Sequence, residues 1–193
     1  MTGAESKLDD SVELKIIDDL TTLVIMVENP GRVNFENTQP LDNEHKGLLG
    51  QPLLITKTQD GYSNKCTFQN DWKMIPLPMK PNFVRNLKFN EQVEVSNENP
   101  VFIKFELYIL ESATDSFIDP IKSGFTKGVI FVNGRNLGRY WSLGPQETLY
   151  LPGPWLEIGI NEIIVFDEMP TKTQFSLHFS SVPKLGPKNK RPS

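Results

Sequence analysis

The segment Lys127-Gly128-Val129-Ile130-Phe131-Val132-Asn133-Gly134-Arg135 constrains this chain's fold more than any other stretch. A β-branched and aromatic run feeds an Asn-Gly pair, and a type I′ turn needs two residues that tolerate positive φ. The segment therefore predicts a tight hairpin within an antiparallel sheet.

Period-two alternation recurs elsewhere, and helical periodicity is almost absent. Val12, Leu14 and Ile16 alternate with Glu13 and Lys15; Asp18-Asp19 makes a turn, and Thr21 to Glu28 reads as the returning strand. Asn29-Pro30-Gly31 closes it, because each of these residues disfavours continued pairing. Val101, Ile103, Phe105, Leu107 and Ile109 give one face of a long strand, with Lys104, Glu106 and Tyr108 on the other. Further strands are expected at 129–132, 147–151, 162–167 and 174–179, with weaker candidates at Leu53 to Thr56 and Trp72 to Leu77. In the last strand Phe175, Leu177 and Phe179 alternate with Ser176 and His178, which puts His178 on the exposed phase. Only Pro154-Trp155-Leu156-Glu157 reads as a helical turn, with Gly159 ending it. The expected class is all-β, built from antiparallel sandwiches.

Pro76, Pro78, Pro81 and Pro100 punctuate a stretch with little alternation, and a domain boundary is expected inside it. The expected units are 8–80, 81–182 and a basic, disordered tail at 183–193, where Gly186, Pro187 and Asn189 interrupt the charges. The first unit offers fewer strands than the roughly seven of a sandwich, so it reads as truncated, with its opening strands cut off.

With 38% hydrophobic and 23% charged residues over 193 positions, the chain has a globular composition. No apolar run approaches the ~20 residues of a membrane span, and a net charge of −4 argues against a nucleic-acid partner. Cys66 is the sole cysteine, which excludes an internal disulfide and leaves the compartment open. The first residues lack the apolar core of a signal peptide, and no Asn-x-Ser/Thr sequon is present.

Candidate chemistry is sparse. Cleaving a sugar with retention takes two carboxyl groups about 5–5.5 Å apart. Asp42/Glu44 and Asp167/Glu168 lie in polar loops or at strand ends and read as surface charge. Neighbours on a strand point to opposite faces, so Asp167 and Glu168 do not converge on one substrate. His45 and His178 have no second ligand at metal spacing and no nucleophile elbow beside them. No catalytic residue, metal or cofactor is assigned. Tyr140, Trp141 and Trp155 could form an aromatic platform for a sugar ring or pack structurally. Arg139 beside them could meet sugar hydroxyls or stack on Trp141.

The string from Lys127 to Trp141, with Gly144-Pro145-Gln146-Glu147-Thr148-Leu149-Tyr150-Leu151-Pro152 behind it, resembles the C-terminal signature of glycoside hydrolase family 35, the β-galactosidases. Leu156, Gly159 and Asn161 to Phe166 continue the resemblance. Upstream, Leu23-Val24-Ile25-Met26-Val27-Glu28-Asn29-Pro30-Gly31-Arg32-Val33-Asn34-Phe35 is similar to a second family segment, and Lys46-Gly47-Leu48 and Asp71 to Leu77 follow in the same order. The resemblance implies sandwiches of galactose-binding-like, jelly-roll type that follow a catalytic (β/α)₈ barrel. It places both catalytic glutamates on that barrel, so no residue here inherits their role. The chain then corresponds to the C-terminal β part of such an enzyme, a truncated isoform or fragment, with the barrel as its partner and galactosides as candidate ligands. The parent family is lysosomal or secreted. The resemblance further implies that Arg32, Asn34 and Phe35 face the barrel at the rim of the galactose pocket, and that Arg139 and Tyr140 brace the sandwich against it. Phe35 and Phe125 stand where many members carry Tyr and Trp, which weakens any sugar contact expected from either. A galactose-binding module acting alone is the alternative reading.

Overall fold

The structure is a computed structural model describing residues 23–29, 47–48, 53–57, 61, 63–67, 72–90, 99–144 and 147–185. The chain divides into two compact units, Met1–Lys73 and Met74–Ser193. In the first, β1 (Leu53–Lys57) and β2 (Ser63–Thr67) pair antiparallel, with Leu53 opposite Thr67 and Lys57 opposite Ser63. Residues 23–29 are not in a strand, in contrast to the returning strand expected at 21–28. The anticipated hairpin partner at 12–16 lies outside the described residues.

The second unit is a β-sandwich with a short helix, α1 (Pro81–Arg85). Its strands are β3 (Val101–Ile109), β4 (Ser116–Ile118), β5 (Lys127–Val132), β6 (Arg135–Trp141), β7 (Leu149–Leu151), β8 (Gly159–Asp167) and β9 (Phe179–Ser180). One sheet has the order β3-β8-β5-β6, the other β7-β4-β9, and every pairing is antiparallel. The all-β, antiparallel expectation therefore holds.

Alternation sorts the side chains into two layers. Ile130 and Val132 of β5, Tyr140 of β6, Ile163 and Val165 of β8, Ile118 of β4 and Leu149 and Leu151 of β7 meet in the core between the sheets. The intervening Phe131 and Ile164 point the other way, where Val84 of α1 covers them and Met79, Phe83, Leu87, Phe89 and Phe102 pack around. β5 and β8 are thus sealed on both faces, which explains why 163–166 is one unbroken apolar run. Pro81 opens α1 with its φ already helical, and Asn86 ends it, donating from its side-chain amide to the Asn82 carbonyl at 2.6 Å. Met79 packs against this cluster, so residues 74–80 share a unit with the sandwich.

Other expectations are corrected. Residues 72–80 form no strand, since Pro76 and Pro78 cannot donate to a ladder. The strand foreseen at 174–179 shrinks to Phe179–Ser180, although Phe175 and Leu177 still pack on the core. A bulge falls in β6, because Ile130 faces Gly138 whereas Phe131 faces Asn136, leaving Leu137 as the extra residue. The helical turn near Trp155 is a 3-10 turn at Gly153–Trp155.

Candidate functional site

The Asn133-Gly134 turn adopts the geometry its sequence requires: φ is 50° at Asn133 and 76° at Gly134. Asn133 does more than turn. Its amide nitrogen donates to the Trp155 carbonyl at 2.9 Å and to Asn161 Oδ1 at 2.8 Å, while its Oδ1 accepts from the Glu162 amide at 3.0 Å. Asn161, fully buried, accepts from the Glu157 amide at 2.8 Å and donates to the carbonyls of Glu157 at 2.7 Å and Gly159 at 3.2 Å. Two carboxamides thereby tie the hairpin tip, the 3-10 turn and the start of β8 into one knot. Arg85 lies across the tip and donates to the Asn133 carbonyl at 3.4 Å. The guanidinium of Arg135 sits 5.5 Å from the centre of the Trp155 ring.

Of the two readings open for the aromatic residues, a sugar platform or structural packing, Tyr140 takes the second. Tyr140 lies on the inward phase of β6, is 3% exposed, and donates its hydroxyl to the Phe166 carbonyl at 2.9 Å. Burial, with Asp167 and Glu168 nearby, pushes its phenol above its usual range. It is a core residue of the sandwich. Trp141 is half-buried at the far end of β6, where Lys127 stands over its ring at 5.3 Å. Arg135 opens β6 and Trp141 closes it, so Trp155 and Trp141 are separated by roughly 20 Å of strand. Arg139 is exposed on β6 opposite Val129. Phe125 is also structural: it is 2% exposed, stacks on Phe175 at 5.4 Å and meets Phe105 and Tyr140 edge-on or tilted. Arg32, Asn34 and Phe35 lie outside the described residues, as do His45, Asp42 and Glu44.

The carboxylates serve the architecture. Asp167, expected on the surface, is fully buried and accepts from the Thr126 amide and hydroxyl at 3.1 and 2.9 Å, the Met169 amide at 3.1 Å and the Lys127 amide at 3.4 Å. Glu168 turns the other way to Lys127 at 3.0 Å. Alternation did separate this pair, but loop amides folding over the strand end, not water, receive Asp167. Asp115 accepts from the Tyr150 hydroxyl at 2.6 Å and the Gly153 amide at 2.8 Å, and both bonds hold its carboxyl below the usual range.

Asp119 is 3% exposed and accepts from the Lys122 amide at 2.8 Å and Lys184 Nζ at 2.7 Å. Burial alone would raise its pKa; the bonds from Lys184 and Lys122 outweigh it and leave the carboxyl below its ordinary value. Lys184, read from sequence as tail, is therefore anchored, and its amide donates to Thr148 Oγ1 at 2.9 Å. His178 is half-buried, its carbonyl accepting from the Asp119 amide and its amide donating to Ser123 Oγ. Nothing local in the sequence signals these long-range pairs. Residues 186–193 lie outside the described residues.

The pairs that knot the hairpin tip and the sheet stand inside a region with a family counterpart. The galactose-binding domain of β-galactosidases matches residues 100–161, which run from β3 into β8. The chain is similar to the β-galactosidases. It is 38% identical to human Beta-galactosidase-1-like protein 2 over 177 residues, 91% of this chain and 25% of that protein. Beta-galactosidase 1 of Dictyostelium discoideum is 33% identical over 184 residues, again 91% of this chain and 25% of the relative. Beta-galactosidase 17 of Arabidopsis thaliana is 34% identical over 173 residues, 81% and 23% respectively. The chain thus spans about a quarter of the length of the curated relatives it matches. The resemblance read from Lys127 to Trp141 and from Leu23 to Phe35 holds, and it reaches across most of this chain.

Proposed function

We propose that this chain is a non-catalytic β-domain portion of a β-galactosidase, which braces a catalytic (β/α)₈ barrel supplied by other sequence. The observation that carries this reading is the quarter-length match to β-galactosidases, with a galactose-binding domain rather than a barrel at its centre. The side chains support it. Asp115, Asp119 and Asp167 are each committed to backbone amides, a hydroxyl or a lysine, which suits a scaffold. Retaining hydrolysis of terminal β-galactosyl bonds would belong to the parent enzyme, through a carboxylate nucleophile and a carboxylic acid. The 193-residue chain should therefore release no chromophore from a nitrophenyl β-galactoside, and turnover that tracks the pure polypeptide would overturn the proposal.

The name of the matching domain favours a second reading, a module that binds galactose without cleaving it. Galactose titrated into the chain and followed by amide NMR separates the two. A bracing domain shows no saturable shift, and a binding module does.

A further inference from the structure

One edge of the larger sheet, the outer side of β3, is unpaired among the described residues. Strand β3 lies at one end of the order β3-β8-β5-β6 and pairs with β8 alone among the described residues. It runs nine residues without proline. Its inward side chains Ile103, Phe105 and Leu107 are only half-buried against the core, whereas Ile163 and Val165 beside them on β8 are fully buried. Among the described residues this side of the sandwich carries no further strand, and a long edge with apolar flanks invites one.

We propose that two copies of this chain join antiparallel through β3, around a two-fold axis at Phe105. Phe105 is the midpoint of Val101–Ile109, so this register pairs all nine residues. It sets Lys104 against Glu106 of the second copy, twice by symmetry. Ile103 then meets Leu107 of the second copy, and Val101 meets Ile109 of the second copy, extending the core layer from one sandwich to the next. On the outer face Tyr108, 65% exposed, comes opposite Phe102 of the second copy, a ring already packed on Phe83 and Phe166. A two-fold perpendicular to the sheet must place like faces together. Moving the axis to Lys104 or Glu106 sets like charges face to face and shortens the ladder. The longest pairing and the best charge match coincide at one register.

Glu106 is the lever. Its side chain is 61% exposed, and within one copy it faces Glu162 across the β3–β8 ladder. Glu106→Lys relieves that like-charge contact inside a single copy but gives up the 3.8 Å ion pair with Lys104, and it places two lysines opposite each other at the shared edge. Cross-strand charge pairs contribute roughly 0.2–1 kcal/mol each, so reversing two of them weakens association about ten-fold. Sedimentation equilibrium of the 193-residue chain should give twice the 21.9 kDa monomer mass. Glu106→Lys should raise the dissociation constant about ten-fold, and the Lys104→Glu/Glu106→Lys double swap should return it toward the original value. A chain that stays at monomer mass overturns the proposal, as does a Glu106→Lys dissociation constant equal to the original. If the single variant fails to fold, the double swap decides: a dimer supports the pairing and a monomer refutes it.

Discussion

At the scale of single residues, this sandwich depends on a few atoms with no slack. A Cβ built on Gly128 would stand 1.8 Å from the Phe166 carbonyl oxygen and 3.0 Å from the Tyr140 hydroxyl that bonds it. Gly128→Ala must push β5 from β8 or break the Tyr140 bond. It should cost about 3 kcal/mol or more, read as a lowered urea midpoint. Asn161 is equally constrained, by chemistry rather than space. Asn161→Asp is nearly isosteric but turns an acceptor toward the Glu157 and Gly159 carbonyls that its amide nitrogen now serves. A buried charge facing two carbonyls should cost about 3 kcal/mol or more. Asn161→Ala should be milder, because it removes the repulsion and leaves donors unmet.

At the scale of elements, the last segment of the sandwich is held electrostatically. The Lys184–Asp119 pair, with the His178 and Thr148 backbone bonds, straps residues 178–184 across the smaller sheet. Asp119 has its carboxyl below the ordinary 3.8, so the unfolded strap takes up protons before the folded one. Its contribution is complete above that value and is lost as pH falls below it. Lys184 is raised above the ordinary 10.5, so on the alkaline side loosening waits until pH climbs past that value. Amide NMR signals of His178 and Lys184 should hold from neutrality down to about pH 4 and then weaken. Asp119→Asn should remove this acid step, and an unchanged acid transition in that variant would show that another group governs it.

At the scale of the whole molecule, both hydrophobic clusters of the second unit are built, among the described residues, from residues 79–177. A polypeptide of residues 74–193 should therefore fold by itself, with cooperative urea unfolding and the near-ultraviolet signature of its packed aromatics. A non-cooperative melt would mean that the sandwich needs residues 1–73. The same division bears on the proposed role: a self-sufficient sandwich can be joined to a catalytic body without sharing its core.

Much of this was legible in the chain itself. Several local signals survived: Asn133-Gly134 made its turn, alternation placed β3 at 101–109 with Lys104, Glu106 and Tyr108 outward, and Pro154 sat in a short helical turn. Position within β6 gave Tyr140 and Trp141 opposite directions, yet the sequence could not say that one direction led into the core. Apolar content likewise hid β4, which is too short to alternate and exists because β7 and β9 pass beside it. The buried Asp167, the Asn133–Asn161 knot and the Asp119–Lys184 tie join residues 28 to 65 positions apart. Turn and strand preferences are set by a residue's own backbone and next neighbours, so one sequence determines them. Which polar group is buried, and by whom it is satisfied, is fixed only when distant strands close on each other and water leaves.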